Sequence, residues 1–162
     1  MKTALVYSLR FEQVNYRVAG IPKAHEKTFR WIWDEPGPGY VSWLRGVDGL
    51  FWITGKPGCG KSTLMKYILD EPRTRYFLTR SPASQVPLVA AFFFHDRGTQ
   101  LQKSHDGLFR TILIQLVQKE SQICKAIVSR LRAEGHIPTS ETPSDVRWSE
   151  DLLKTVFETA IE

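Results

Sequence analysis

One stretch constrains this chain more than any other: a glycine-rich segment between an apolar run and an amphipathic one. Residues 49–69 read GLFWITGKPGCGKSTLMKYIL. Gly55, Gly60, Lys61 and Ser62 fit the phosphate-binding loop pattern G-x-x-x-x-G-K-[ST]. The flanks fit as well. Residues 50–53 are apolar and rich in aromatic and β-branched side chains, which predicts a buried strand. After Ser62, Leu64, Met65, Ile68 and Leu69 recur at helical spacing. Strand, glycine loop, helix is the context in which this pattern makes a phosphate site.

The residue types follow from the chemistry. Gly55, Gly58 and Gly60 can take positive φ and carry no Cβ, so the backbone can close around an anion. The loop (Gly55, Lys56, Pro57, Gly58, Cys59, Gly60) is expected to wrap the phosphates, its N–H groups, which Pro57 lacks, converging on them with those of the first helical turn while the helix dipole adds to the field. Lys61 is expected to reach the β- and γ-phosphates as a point charge. Ser62 is the expected protein ligand of Mg²⁺, with phosphate oxygens and water filling the other positions. Thr63 is expected to support the α-phosphate. The implied ligands are ATP or ADP with Mg²⁺.

Composition narrows the class. The 162 residues suffice for one domain with a substantial core, and 42% hydrophobic with 24% charged residues is ordinary for a globular protein. No apolar run approaches the ~20 residues of a membrane helix, and the run at residues 4–7 is too short for a signal-peptide core. An intracellular, cytoplasmic protein with no membrane partner is expected. Cys59 and Cys124 make no disulfide framework and no zinc spacing. Cys59 lies inside the loop, where it reads first as a small residue at a permissive position and, in the alternative, as a thiol whose alkylation blocks nucleotide. The net charge of +5 is spread over polar helix faces rather than gathered on one, which argues against nucleic acid.

Further along, residues 7–18 have a weak helical pattern. Pro22 suits the first turn of a helix running to Trp33. Prolines and glycines at 36–39 make a turn, and residues 40–44 a short helix carrying Trp43 inward. Residues 73–87 read as a connection. The unbroken run 88–94, LVAAFFF, predicts a second strand buried on both faces. The turn His95, Asp96, Arg97 that follows would then lie at a strand's carboxyl end, where α/β sheets bind ligands, and Asp96 is a weak candidate for a metal-binding acid. Ser104 or Asp106 caps a helix to about Lys119, and residues 121–133 form another that stops at Gly135. After a polar loop, Ser149 caps a last helix whose face is Leu152, Leu153, Val156, Phe157, Ala160 and Ile161. The expected fold class is α/β: a partial P-loop NTPase fold, a parallel sheet flanked by helices, with a helical N-terminal lead-in.

Taken together, Ser8-Leu9-Arg10-Phe11, Arg17, Ile21, Thr28-Phe29, Trp31-Ile32, Trp43-Leu44 and the whole run 51–66 resemble the NACHT-like, nephrocystin-type N-terminal P-loop domain of fungal STAND NTPases. Phe92-Phe93-Phe94, Leu108-Phe109-Arg110, Gln115-Leu116 and Trp148 extend the resemblance over nearly the whole chain. The resemblance implies a signalling switch that cycles between ADP and ATP, self-associates or meets other signalling proteins in its full-length context, and serves self/non-self recognition or cell death. It implies a lead-in over residues 1–45 that helps to enclose nucleotide, and the first part of the NTPase domain over 46–162. By the same alignment the chain ends before the Walker B strand, so Asp96 is not the Walker B acid and the sequence is expected to be a fragment. Little or no hydrolysis is therefore expected, and whether the chain is an enzyme stays open. A free-standing small P-loop NTPase or kinase, or a helical interaction module with a vestigial loop, are the alternatives.

Overall fold

The computed structural model describes residues 1–162 except 13–15, 26, 35, 36, 38, 47, 48, 81–86, 139–141 and 162. Its helices are α1 (Lys2–Leu9), α2 (Tyr16–Gly20), α3 (Tyr40–Arg45), α4 (Lys61–Asp70), α5 (Pro72–Leu78), α6 (His105–Lys119), α7 (Ser121–Ala133) and α8 (Glu150–Ile161). Two 3-10 turns, Arg30–Trp33 and Leu101–Lys103, complete the regular elements. Among the described residues there is no strand and no sheet, so the expected α/β fold with a parallel sheet is corrected to an all-helical one. The chain divides into two compact units, residues 1–17 with 88–162, and residues 18–87.

The first unit is built on α1, α6, α7 and α8. Their apolar faces close over Leu5, Leu9, Leu113, Val117, Ile127, Leu131, Leu153 and Val156, none of which exposes measurable surface. The helix ends are the ones the sequence announces. Ser104 accepts from the Gly107 amide at the start of α6, and Ser149 accepts from the Leu152 amide at the start of α8. Gly135 stands at φ +74°, with the amides of His136 and Gly135 on the carbonyls of Leu131 and Arg132, the paired bonds of a Schellman stop. At α6 the 3-10 turn presses on the helix: a Cβ on Gly107 would overlap the Leu101 carbonyl oxygen and come within 2.6 Å of its carbon. Polar ties hold α1 to its neighbours, from Trp148 Nε1 to the Ser8 hydroxyl and from Lys2 Nζ to the Gln118 carbonyl.

Residues 88–95 form no regular element here, and part of their backbone finds side chains where a strand would find a strand. Gln115 on α6 donates to the Ala91 carbonyl at 2.7 Å and accepts from the Ala91 amide at 3.0 Å. Lys119 Nζ donates to the Val89 carbonyl, and the His95 amide donates to the Gln102 carbonyl. One side-chain amide thus satisfies both polar groups of a residue in the way a neighbouring strand does. Gln115→Leu strands both groups in a part-buried place and is expected to destabilise the chain by about 2 kcal/mol in urea titration. Unchanged stability would mean that the clamp contributes nothing.

The second unit is smaller and aromatic. Ile32, Trp33, Tyr40, Val41, Leu44, Leu64 and Ile68 form its core, with Phe29, Phe51, Ile53, Tyr67 and Phe77 packed around it. The expected helix from Pro22 to Trp33 shrinks to the 3-10 turn, because Lys27 takes φ +74°, outside helical space. α3 forms as expected, yet it buries Tyr40, Val41 and Leu44, while Trp43 is 36% exposed and donates to the Gly49 carbonyl. Residues 50–53 are extended and alternate: Phe51 and Ile53 pack on the core, Leu50 and Trp52 are 80% and 74% exposed. The expected connection over 73–87 contains α5, which starts with Pro72 in its first turn. The weak helical pattern at 7–18 resolves into the end of α1 and the start of α2, and Val14 within it lies outside the described residues.

Candidate functional site

The loop residues 55–60 run directly into α4, and the local backbone follows the glycine pattern. Gly58 and Gly60 stand at φ +78° and +90°, conformations that a side chain makes costly. The Cys59 amide donates to the Lys56 carbonyl, which turns the loop back on itself. Gly60 is the N-cap of α4, and the first intrahelical bond runs from the Leu64 amide to the Gly60 carbonyl at 2.8 Å. The amides of Lys61, Ser62 and Thr63 therefore precede the helix's own ladder and are the donors a helix start offers to an anion. Residues 55–59 are exposed, and Gly60, Lys61, Ser62 and Thr63 are half-buried.

Lys61 lies over this loop. Its Nζ donates to the carbonyls of Gly55 at 2.8 Å and Lys56 at 3.0 Å, and sits 3.9 Å from Cys59 Sγ. The cation is thus held at the mouth of the loop by acceptors that belong to it. At Gly55 a Cβ would come within 2.7 Å of the Cys59 sulfur, so the loop is closed tightly on its inner side. The Ser62 hydroxyl lies in the first turn, where it can supply one oxygen to a cation already held by phosphates. Among the described residues no cluster of three or more His, Cys, Asp or Glu side chains forms a metal site. A Mg²⁺ here would depend on Ser62, phosphate oxygens and water.

The support beneath the loop was not evident from the sequence. Phe29 lies 3.7 Å from where a Cβ on Gly60 would stand, and its ring packs on Tyr67 of α4 with centroids 5.8 Å apart. Trp33 then holds Tyr67: its Nε1 donates to the Tyr67 hydroxyl at 3.1 Å, and the rings meet edge-on. Arg73 lies over the Trp33 ring at 4.6 Å, donates to the same hydroxyl and pairs with Glu71 at 2.9 Å. The Arg73 hydrogen bond holds the Glu71 carboxyl below the usual carboxylate range. Burial pushes the Tyr40 phenol up. The signal available in the sequence was the density of aromatic residues between positions 29 and 77, with no spacing rule to connect them.

Asp96, the acid considered from sequence, is exposed on the turn after residues 88–95, in the first unit, and among the described residues no strand precedes it. Among the described residues no helix is long and apolar enough to cross a membrane. A family model described as nephrocystin 3, N-terminal, matches residues 27–161. No curated protein and no solved structure matches the chain.

Proposed function

Because the chain belongs to the nephrocystin 3, N-terminal family, we propose that it is an ATP/ADP–Mg²⁺ binding module of a NACHT-like STAND switch. The observation that carries this reading is the loop itself: left-handed Gly58 and Gly60, the amides that open α4, and Lys61 Nζ over the loop carbonyls. Gly55, Lys56, Pro57, Gly58, Cys59 and Gly60 wrap the phosphates. Lys61 moves from the carbonyls to the β- and γ-oxygens, Thr63 supports the α-phosphate, and Ser62 contributes one ligand to Mg²⁺. This reading rests on the loop and its helix and uses no sheet. Turnover needs an acid to orient water or metal, and we assign that role to none of the described residues, so binding without efficient hydrolysis is the proposed behaviour. In a longer protein the module acts in the cytoplasm through self-association or other signalling proteins.

The test is calorimetric titration with Mg-ATP and Mg-ADP. Micromolar binding is expected, and Lys61→Ala is expected to weaken it by about 2–3 kcal/mol, roughly thirty- to over a hundredfold, the scale of a charge-assisted contact. A folded chain that binds neither nucleotide at millimolar concentration sinks the proposal. That outcome would favour a second reading, an interaction module with a vestigial loop, to which the exposed Leu50 and Trp52 would belong.

A further inference from the structure

A cleft of about 430 Å³ opens in the first unit, lined by Tyr16, His95, Arg97, Gly98, Thr99 and Gln102. We propose that it is a second ligand site, built from first-unit residues alone, that takes a small phosphate monoester.

The cleft is framed by a turn in which several backbone donors are bonded within the turn itself. The His95 amide bonds the Gln102 carbonyl, the Gly98 amide the His95 carbonyl, and the Thr99 amide the Gln102 side-chain oxygen at 2.9 Å. Gln102 is 3% exposed and forms the floor of the turn. The turn so tied holds the side chains that line the cleft. Arg97 supplies the guanidinium fork that matches phosphate oxygens. Among the described residues no carboxylate lines the cleft to compete for it. His95 Nδ1, behind the cleft wall, is buried with no hydrogen-bond partner, a deficit that an oxygen admitted by a small shift of the ring would relieve. Gly98 keeps the space beside that nitrogen open, since a Cβ there would stand 2.9 Å from it.

The organic part of the ester is read by a ring. Tyr16 lies face to face with His95, ring centroids 6.4 Å apart and planes inclined by 27°, and its exposed ring offers an apolar wall beside the anion. Aromatic contact of this kind is worth about 0.5–1.5 kcal/mol, which converts to about two- to twelvefold in affinity. Phenyl phosphate is therefore expected to bind about three- to tenfold tighter than inorganic phosphate.

The experiment is titration of the full chain with phenyl phosphate and inorganic phosphate, followed by amide chemical shifts at residues 95–102. The expected result is binding that Arg97→Ala reduces at least about tenfold and that Lys61→Ala leaves intact, with far-ultraviolet circular dichroism unchanged in both. Arg97 is exposed, so its truncation leaves the fold alone. The proposal is overturned by any of three results: no binding at millimolar phenyl phosphate, binding indifferent to Arg97→Ala, or binding abolished by Lys61→Ala. The last result would assign the phosphate to the glycine loop and leave the nucleotide reading standing.

Discussion

Gly107→Ala is expected to destabilise the chain by about 4 kcal/mol, more than any other single methyl group added to it. The overlap is with the Leu101 carbonyl group, which is backbone and cannot rotate away. Either the first turn of α6 or the 3-10 turn at Leu101–Lys103 has to move. Movement of α6 pulls the Gly107 amide off the Ser104 hydroxyl, now 3.3 Å away, and removes a cap worth about 1 kcal/mol. It also shifts Leu113 and Val117, which are wholly buried against α1, α7 and α8. Such a loss is a large share of the ~5–15 kcal/mol that keeps a domain folded. Urea unfolding followed by circular dichroism measures it. A midpoint within error of the parent chain would mean that the turn and the helix are not packed this closely.

Trp33→Ala is expected to cost a further independent ~4 kcal/mol, the usual cost of deleting a buried indole. Trp33 is 9% exposed and belongs to the second unit's core, where it meets Tyr40 edge-on at 5.3 Å, Phe77 stacked at 6.2 Å, Tyr67 at 6.5 Å and the Arg73 guanidinium at 4.6 Å. Its loss leaves a cavity, a Tyr67 hydroxyl short of one donor and an arginine short of its ring. Since Tyr67 lies on α4 and carries Phe29 against Gly60, the damage reaches the glycine loop. Nucleotide affinity is expected to fall together with stability, whereas Lys61→Ala lowers affinity alone. Parallel denaturation and calorimetry on the two variants separate these cases. A stable Trp33→Ala chain with full affinity would show the loop to be self-supporting.

The helices of the first unit were legible because each carries its own instructions. The spacing of Leu113, Leu116 and Val117, of Ile127, Val128 and Leu131, and of Leu152, Leu153 and Val156 draws three apolar stripes, and Ser104, Gly135 and Ser149 mark their ends. The strands were misread for a physical reason. An extended run becomes a strand only when a second backbone pairs with it, and that relation is not written in the run itself. Residues 50–53 do alternate, but Leu50 and Trp52 turn outward, so the apolar run was not buried on both faces. For residues 88–95 the partner proved to be Gln115, a polar side chain twenty-four positions beyond Ala91. Trp43 was assigned inward on hydrophobicity, yet its indole N–H is placed to bond the Gly49 carbonyl, and Tyr40 fills the core instead. The loop, being contiguous, could be read residue by residue. Its support from Phe29, Trp33 and Arg73 could not, since those contacts span up to forty positions of chain.

The clamp that Gln115 places on Ala91 also bears on how this chain behaves among its neighbours. A run such as LVAAFFF is the composition from which intermolecular cross-β stacking starts: apolar, uncharged, without proline. Stacking propagates through backbone donors and acceptors left open to an incoming chain. At Ala91 both are occupied by a glutamine amide, at Val89 the carbonyl is occupied by a lysine, and at His95 the amide is bonded to Gln102. Hydrogen bonds that another molecule would need at these points are already made within the fold, so the stretch is guarded at Val89 and Ala91 for as long as α6 stays folded beside it.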